Sequence, residues 1–138
     1  MLDQVASRNL RVYAVWLPVL RAGNVASAAD REGGRISDPR ALHFLDPDAR
    51  LAREYSKVLH LPGRAQAWDV YLVFGPEARW GSEPPPPTYW MHQLGDAPPE
   101  LRLEGEQLAR VVSGLLNSTR KSAGQGVGHA LAGANSKP

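Results

Sequence analysis

Three of the four histidines stand in segments patterned as secondary structure, and imidazole is the side chain best suited to proton transfer or metal binding near neutral pH. His43 lies in an apolar stretch beside Phe44, with Asp46 three residues on. His92 shares a second such stretch with Trp90, and His60 closes a helical pattern, where an imidazole suits the carbonyl end of the helix dipole. None shows His-x-x-x-His or His-x-His spacing, so these residues read as structural or surface histidines and no metal is assigned. The alternative is a small hydrolase-type or other acid/base enzyme that pairs His43 or His92 with Asp46 or Asp69. The chain has no cysteine, which excludes a thiolate nucleophile, a disulfide framework, a Cys-ligated metal and a dithiol redox cycle. Gly-rich phosphate loops and a G-x-S-x-G elbow are also missing, so no catalytic residue and no cofactor is assigned.

Aromatic side chains supply a second kind of chemistry. Trp68, Tyr71, Trp80, Tyr89 and Trp90 come from the last two strand patterns and their connector, beside the proline run Pro84 to Pro87. Together with His43 and His92 they form the candidate binding set, an aromatic floor for a small ligand or a proline-rich peptide. The plainer reading is that a small sheet needs bulky residues to fill its core and that prolines pack on aromatics within the chain. A polar cluster, Asp30, Arg31, Glu32, Asp38 and Arg40, follows the first strand pattern. Loops at that end of an α/β sheet often hold ligands, but its Gly33-Gly34 and Asp38-Pro39 are also plain turn chemistry.

The elements that must position these residues follow from periodicity. Met1 to Ser7 reads as the last turns of a helix. Leu10 to Leu17 is an apolar strand on both faces, as in the covered centre of a sheet. Asn24 caps a short helix over 25–32. Ala41 to Leu45 reads as a strand. A helix then starts with Asp46 as cap and Pro47 in its first position, carries Leu51, Tyr55, Val58 and Leu59 on one stripe, and stops at Pro62-Gly63. Asp69 to Phe74 and Thr88 to Leu94 read as strands, and Glu104 to Asn117 as an amphipathic helix with Leu108, Val112 and Leu115 on its apolar side. Alternation early and adjacent strands late imply a sheet that starts parallel and ends in an antiparallel pair.

Composition places all of this in one domain, residues 1–117, followed by a flexible basic tail over 118–138. Removing Arg120, Lys121 and Lys137 from the count leaves 13 basic against 14 acidic side chains, a net of −1, so the overall +2 belongs to the tail. Specific nucleic-acid binding is therefore not expected. The longest apolar run, Val12 to Leu20, is too short to span a bilayer and no export signal is visible, so a cytoplasmic protein without membrane contact is expected.

The pieces LRVYAVWLPVL, DPRALHFLD, AWDVYLVFG and YWMHQL resemble a bacterial group of thioredoxin-like proteins of unassigned role, over about Asp3 to Leu116. The resemblance implies a truncated thioredoxin-like α/β fold: a mixed sheet of about four strands flanked by helices, with a C-terminal antiparallel pair and helix. Two departures matter. The Cys-x-x-Cys motif and the strand before it would lie upstream of Met1. Where thioredoxins carry a cis-proline before the strand matching DVYLVF, this chain reads Gln66-Ala67-Trp68.

The expected function is a redox-inactive binding or interaction module for an unidentified protein, peptide or small molecule. A truncated gene product without activity of its own is the third reading. In a thioredoxin sheet the strand that is missing here lies between those that LRVYAVW and DVYLVF resemble. Either these two pair directly or their edges stay open, and the expected outcome is a homodimer that buries a strand edge or exchanges an element. Without a sulfur nucleophile the purified chain will not reduce insulin disulfides above a buffer blank. Turnover in that assay would overturn the redox-inactive assignment.

Overall fold

The structure, a computed structural model, describes residues 2–17, 36–61 and 63–128, with side chains through residue 121. The helix expected over 25–32 and its polar neighbours Asp30, Arg31 and Glu32 lie outside the described residues.

Residues Val12–Trp16 form β1 and Ala41–Leu45 form β2, parallel partners with Val12 opposite Ala41 and Trp16 opposite Leu45. Residues Val70–Val73 form β3 and Tyr89–His92 form β4, an antiparallel pair with Val70 opposite His92 and Val73 opposite Tyr89. All four strands fall where the short apolar and aromatic runs placed them. Their assembly differs from expectation. The described strands make two two-stranded sheets, β1–β2 and β3–β4, instead of one mixed sheet of about four. No ladder joins β1 to β3, so neither the direct pairing of those strands nor the covered central position expected for Leu10 to Leu17 is observed.

Helix α1, Arg50–Val58, begins three residues later than Pro47. Residues 46–49 form a turn first, with the Ala49 N–H donating to the Asp46 carbonyl at 3.0 Å. Asp46 still caps the helix, from further back: its carboxylate accepts from the N–H groups of Arg50 at 2.8 Å and Ala52 at 3.2 Å. Ala49 takes the left-handed conformation that this entry requires, with φ 52°. The helix ends before Pro62-Gly63. His60, also at φ 52°, turns the chain, while the N–H of His60 bonds the Lys57 carbonyl and that of Leu61 the Ser56 carbonyl. This is a Schellman stop, with histidine where glycine is usual and buried Leu61 as its apolar clasp.

Helix α2, Gly105–Gly128, is capped by the Glu104 carboxylate, which accepts from the N–H groups of Glu106 at 2.9 Å and Gln107 at 2.7 Å. It does not stop at Asn117 as expected, so residues 118–128 of the stretch read as a tail are helical. None of the described helices is long and apolar enough to cross a membrane.

The two helices cover opposite faces of the β3–β4 sheet. Tyr55 and Leu61, from α1 and its stop, pack with Leu94 and with Leu72, Phe74 and Trp90 of one face. Ala109 and Val112 of α2 pack with Val73 of the other face and with Val5 and Leu10 of the N-terminal segment. That segment keeps only a 3-10 turn, Leu2–Gln4, of the helix expected over 1–7. Arg40, just before β2, fastens it: the guanidinium donates to the carbonyls of Leu2 at 3.0 Å, Ser7 at 3.3 Å and Val5, and grips the Asp38 carboxylate at 2.8 and 2.5 Å.

The hydrogen bond from Arg40 holds the Asp38 carboxyl at about 2, below its ordinary 3.8. A carboxyl depressed by folding stabilises the protein fully above its unfolded value and progressively loses that effect as pH falls. Acid unfolding therefore steepens between about 3.8 and 2, and Asp38→Asn removes that component. Arg40→Met lowers the thermal midpoint more than Asp38→Asn does, because three backbone carbonyls lose their donor as well. An Arg40→Met protein melting with the wild type would show that the N-terminal segment is held by other contacts.

Candidate functional site

Both strand histidines have their ring nitrogens engaged. His92, fully buried on β4, accepts at Nδ1 from the Leu94 N–H at 3.0 Å, and its Nε2 donates to the Pro98 carbonyl at 2.8 Å. It organises the turn that carries the chain from β4 to the short 3-10 helix Pro99–Leu101. His43, exposed on β2, accepts at Nδ1 from Trp16 Nε1 at 3.1 Å and lies 3.3 Å from the Ile36 carbonyl through Nε2. Its ring lies nearly coplanar with the Trp16 indole, with centroids 5.9 Å apart and planes 6° from parallel. Neither histidine bonds a carboxylate among the described residues, and the pairings His43–Asp46 and His92–Asp69 do not form. Asp46 is occupied as the α1 cap. No group of three His, Cys, Asp or Glu among the described residues could hold a metal ion.

The aromatic set is dispersed by the two-residue alternation of β3 and β4. Trp90 and His92 share the face under α1, their rings 5.6 Å apart. Tyr71 and Tyr89 share the opposite face. The Tyr89 hydroxyl accepts from Gln107 of α2 at 2.8 Å, while the Tyr71 hydroxyl donates to Gln93 at 2.8 Å. Burial, and secondarily the charge of Asp69, raises the Tyr71 hydroxyl above its usual value. Trp68 lies beneath the Arg64 guanidinium at 5.3 Å, and that cation is itself paired with Asp96.

Trp80 alone of the set joins an aromatic cluster on the connector side, and its partners Tyr55 and Phe74 lie outside the candidate set. The Trp80 ring is 6.1 Å from Tyr55 and 5.6 Å from Phe74. Burial pushes the Tyr55 hydroxyl up to about 12, and it donates to the Pro85 carbonyl at 3.3 Å. The chain's own proline run thus takes the polar contact that a foreign peptide would need.

An open groove of about 600 Å³ lies along the end of α1, lined by Arg53, Ser56, Lys57, His60, Leu61 and Arg64, among others. Its cations are engaged: Lys57 bonds Glu54 at 2.7 Å, Arg53 donates to the Asp48 carbonyl at 2.6 Å, and Arg64 pairs with Asp96. Cations here also complement the negative end of the helix dipole. Every buried side-chain nitrogen and oxygen among the described residues has a partner, which leaves no orphaned group aimed at a reacting atom.

Exposed apolar surface gathers instead on the β1–β2 ribbon. Tyr13 and Val15 of β1 stand opposite Leu42 and Phe44 of β2 on one face, and all four are between 38% and 61% exposed. The Tyr13 and Phe44 rings are 6.0 Å apart. None of these residues was in the candidate set. The two-sided apolar strand pattern flagged the segment but suggested burial, and the pairing that exposes it is non-local. The sequence and structure match no protein-family model, no curated protein and no solved structure.

The turn held by His92 has a measurable worth. His92→Leu leaves the Leu94 N–H and Pro98 carbonyl without a partner in a site the leucine keeps dry, costing about 2–4 kcal/mol. Urea unfolding reads this directly. A loss below about 0.5 kcal/mol would show that water satisfies both groups.

Proposed function

We propose that this chain is a thioredoxin-like interaction module without redox chemistry, and that its working surface is the β1–β2 ribbon. One observation carries the reading: the ribbon presents Tyr13, Val15, Leu42 and Phe44 to solvent on one contiguous face. Parallel strands are found almost only where both faces are covered, and an apolar patch of this kind marks a contact surface. The β3–β4 pair followed by α2 agrees with the ending of a thioredoxin-like domain and supports that part of the reading. The acid/base alternative is disfavoured by histidines whose ring nitrogens are committed to backbone groups and to Trp16.

The test is a double substitution, Leu42→Glu with Phe44→Glu. On a surface that awaits a partner, it changes the unfolding free energy by less than about 1 kcal/mol and abolishes binding of a hydrophobic dye such as bis-ANS in dilute solution. A loss above about 3 kcal/mol, the scale of a core substitution, would mean that the chain itself buries this face and would overturn the reading.

A further inference from the structure

We infer that the occupant of the ribbon face is a second copy of this chain, docked across a twofold axis with the two ribbons antiparallel. The inference rests on the interaction-module reading and names its partner. Among the described residues, the strand positions of this face carry no charged side chain and one polar atom at the margin, the Tyr13 hydroxyl. Two copies can therefore meet on it without like-charge repulsion and without stranding a buried polar group.

The four side chains fit either twofold orientation. With the axis in the plane of contact and perpendicular to the strands, Tyr13 of one copy lies over Val15 of the second copy, and Leu42 over Phe44; with the axis along the strands, Tyr13 lies over Leu42 and Val15 over Phe44. Either way each contact sets an aromatic ring on an aliphatic side chain. Charge at the two ends selects between them. Arg8 and Arg11 stand at the amino end of the ribbon, and the Arg11 guanidinium donates to the carbonyls of Arg8 and Leu10. Asp46 and Asp48 stand at the carboxyl end, where Asp48 meets Arg50 at 3.6 Å with both side chains mostly in water. The antiparallel arrangement lays arginines over aspartates, whereas the parallel one would oppose arginine to arginine.

Area sets the strength. Four half-exposed side chains of these types offer roughly 400 Å² of apolar surface per copy. The pair buries about twice that, below the roughly 1,200 Å² of stable specific complexes and in the range of weak encounters, so the dimer is transient.

The absence of natural cysteines allows a clean test. Wild-type protein sediments as a monomer–dimer equilibrium at micromolar concentration, and Leu42→Glu and Phe44→Glu each shift it to monomer. Mixed under mild oxidation, Tyr13→Cys and Val15→Cys proteins form a disulfide-linked heterodimer faster than either forms a homodimer. A wild-type monomer at all concentrations, with dye binding that Leu42→Glu with Phe44→Glu abolishes, would overturn the second-copy inference while leaving the surface reading intact. A monomer whose dye binding ignores that substitution would overturn both. A dimer that persists in both glutamate variants would place the interface elsewhere and overturn the inference.

Discussion

Arg40 ties together parts of the chain that no continuous sheet connects. Its guanidinium reaches three carbonyls of the N-terminal segment from the foot of β2, and Asp38 holds the fork in place. Val5 and Leu10 of that segment pack with Val73 of β3 and with Ala109 and Val112 of α2. Besides the Asp46 turn that leads from β2 into α1, continuity between the two sheets among the described residues runs through one charged side chain and a small apolar cluster. A lysine could supply the charge but not the planar fork that serves a carboxylate and several carbonyls at once.

The division of labour between the sheets follows. The β3–β4 pair has a helix on each face, and the fully buried Met91 and His92 lie on it, with Leu94 just beyond. Here alternation places apolar residues on both sides and both sides are used. The β1–β2 pair has the same two-sided apolar pattern but leaves Tyr13, Val15, Leu42 and Phe44 of one face, and Leu45 of the other, between 38% and 61% exposed. Identical local patterning has two outcomes because the helices that would decide between them are placed by distant contacts. Interior packing is strongest where α1, the β3–β4 sheet and α2 overlap, and weakens toward the ribbon.

The strands were legible because short runs of Val, Leu and aromatic residues are a local signal: all four appear within two residues of their expected ends. Their division into two sheets was not, since nothing in VYAVW or VYLV states which edge it will pair. The start of α1 shifted because Asp46 caps from four residues before Arg50, across a turn that Ala49 enters with positive φ. The end of α2 shifted because Asn117 supplies no stop when the backbone ladder simply continues. The candidate site fared worst. Tyr89 and Trp90 are adjacent in sequence, yet successive strand residues face opposite ways, so adjacency along the chain put them on opposite faces. His43 and His92 were singled out for their chemistry, and each is bound up in local structure instead.

The four tryptophans occupy four different settings. Trp16 donates to the imidazole of His43 in the ribbon, and Trp68 lies under the Arg64 guanidinium. Trp90 faces the buried ring of His92, and Trp80 stands at the solvent edge of the Tyr55–Phe74 cluster. An indole's emission responds to neighbouring charge, polarity and proton donors, so these residues are built-in optical reporters for separate regions. Trp16 watches the ribbon, Trp68 and Trp90 the packed interior, and Trp80 the long connector. With one indole retained at a time, the molecule's regions can be followed independently by their own light, with no foreign label attached.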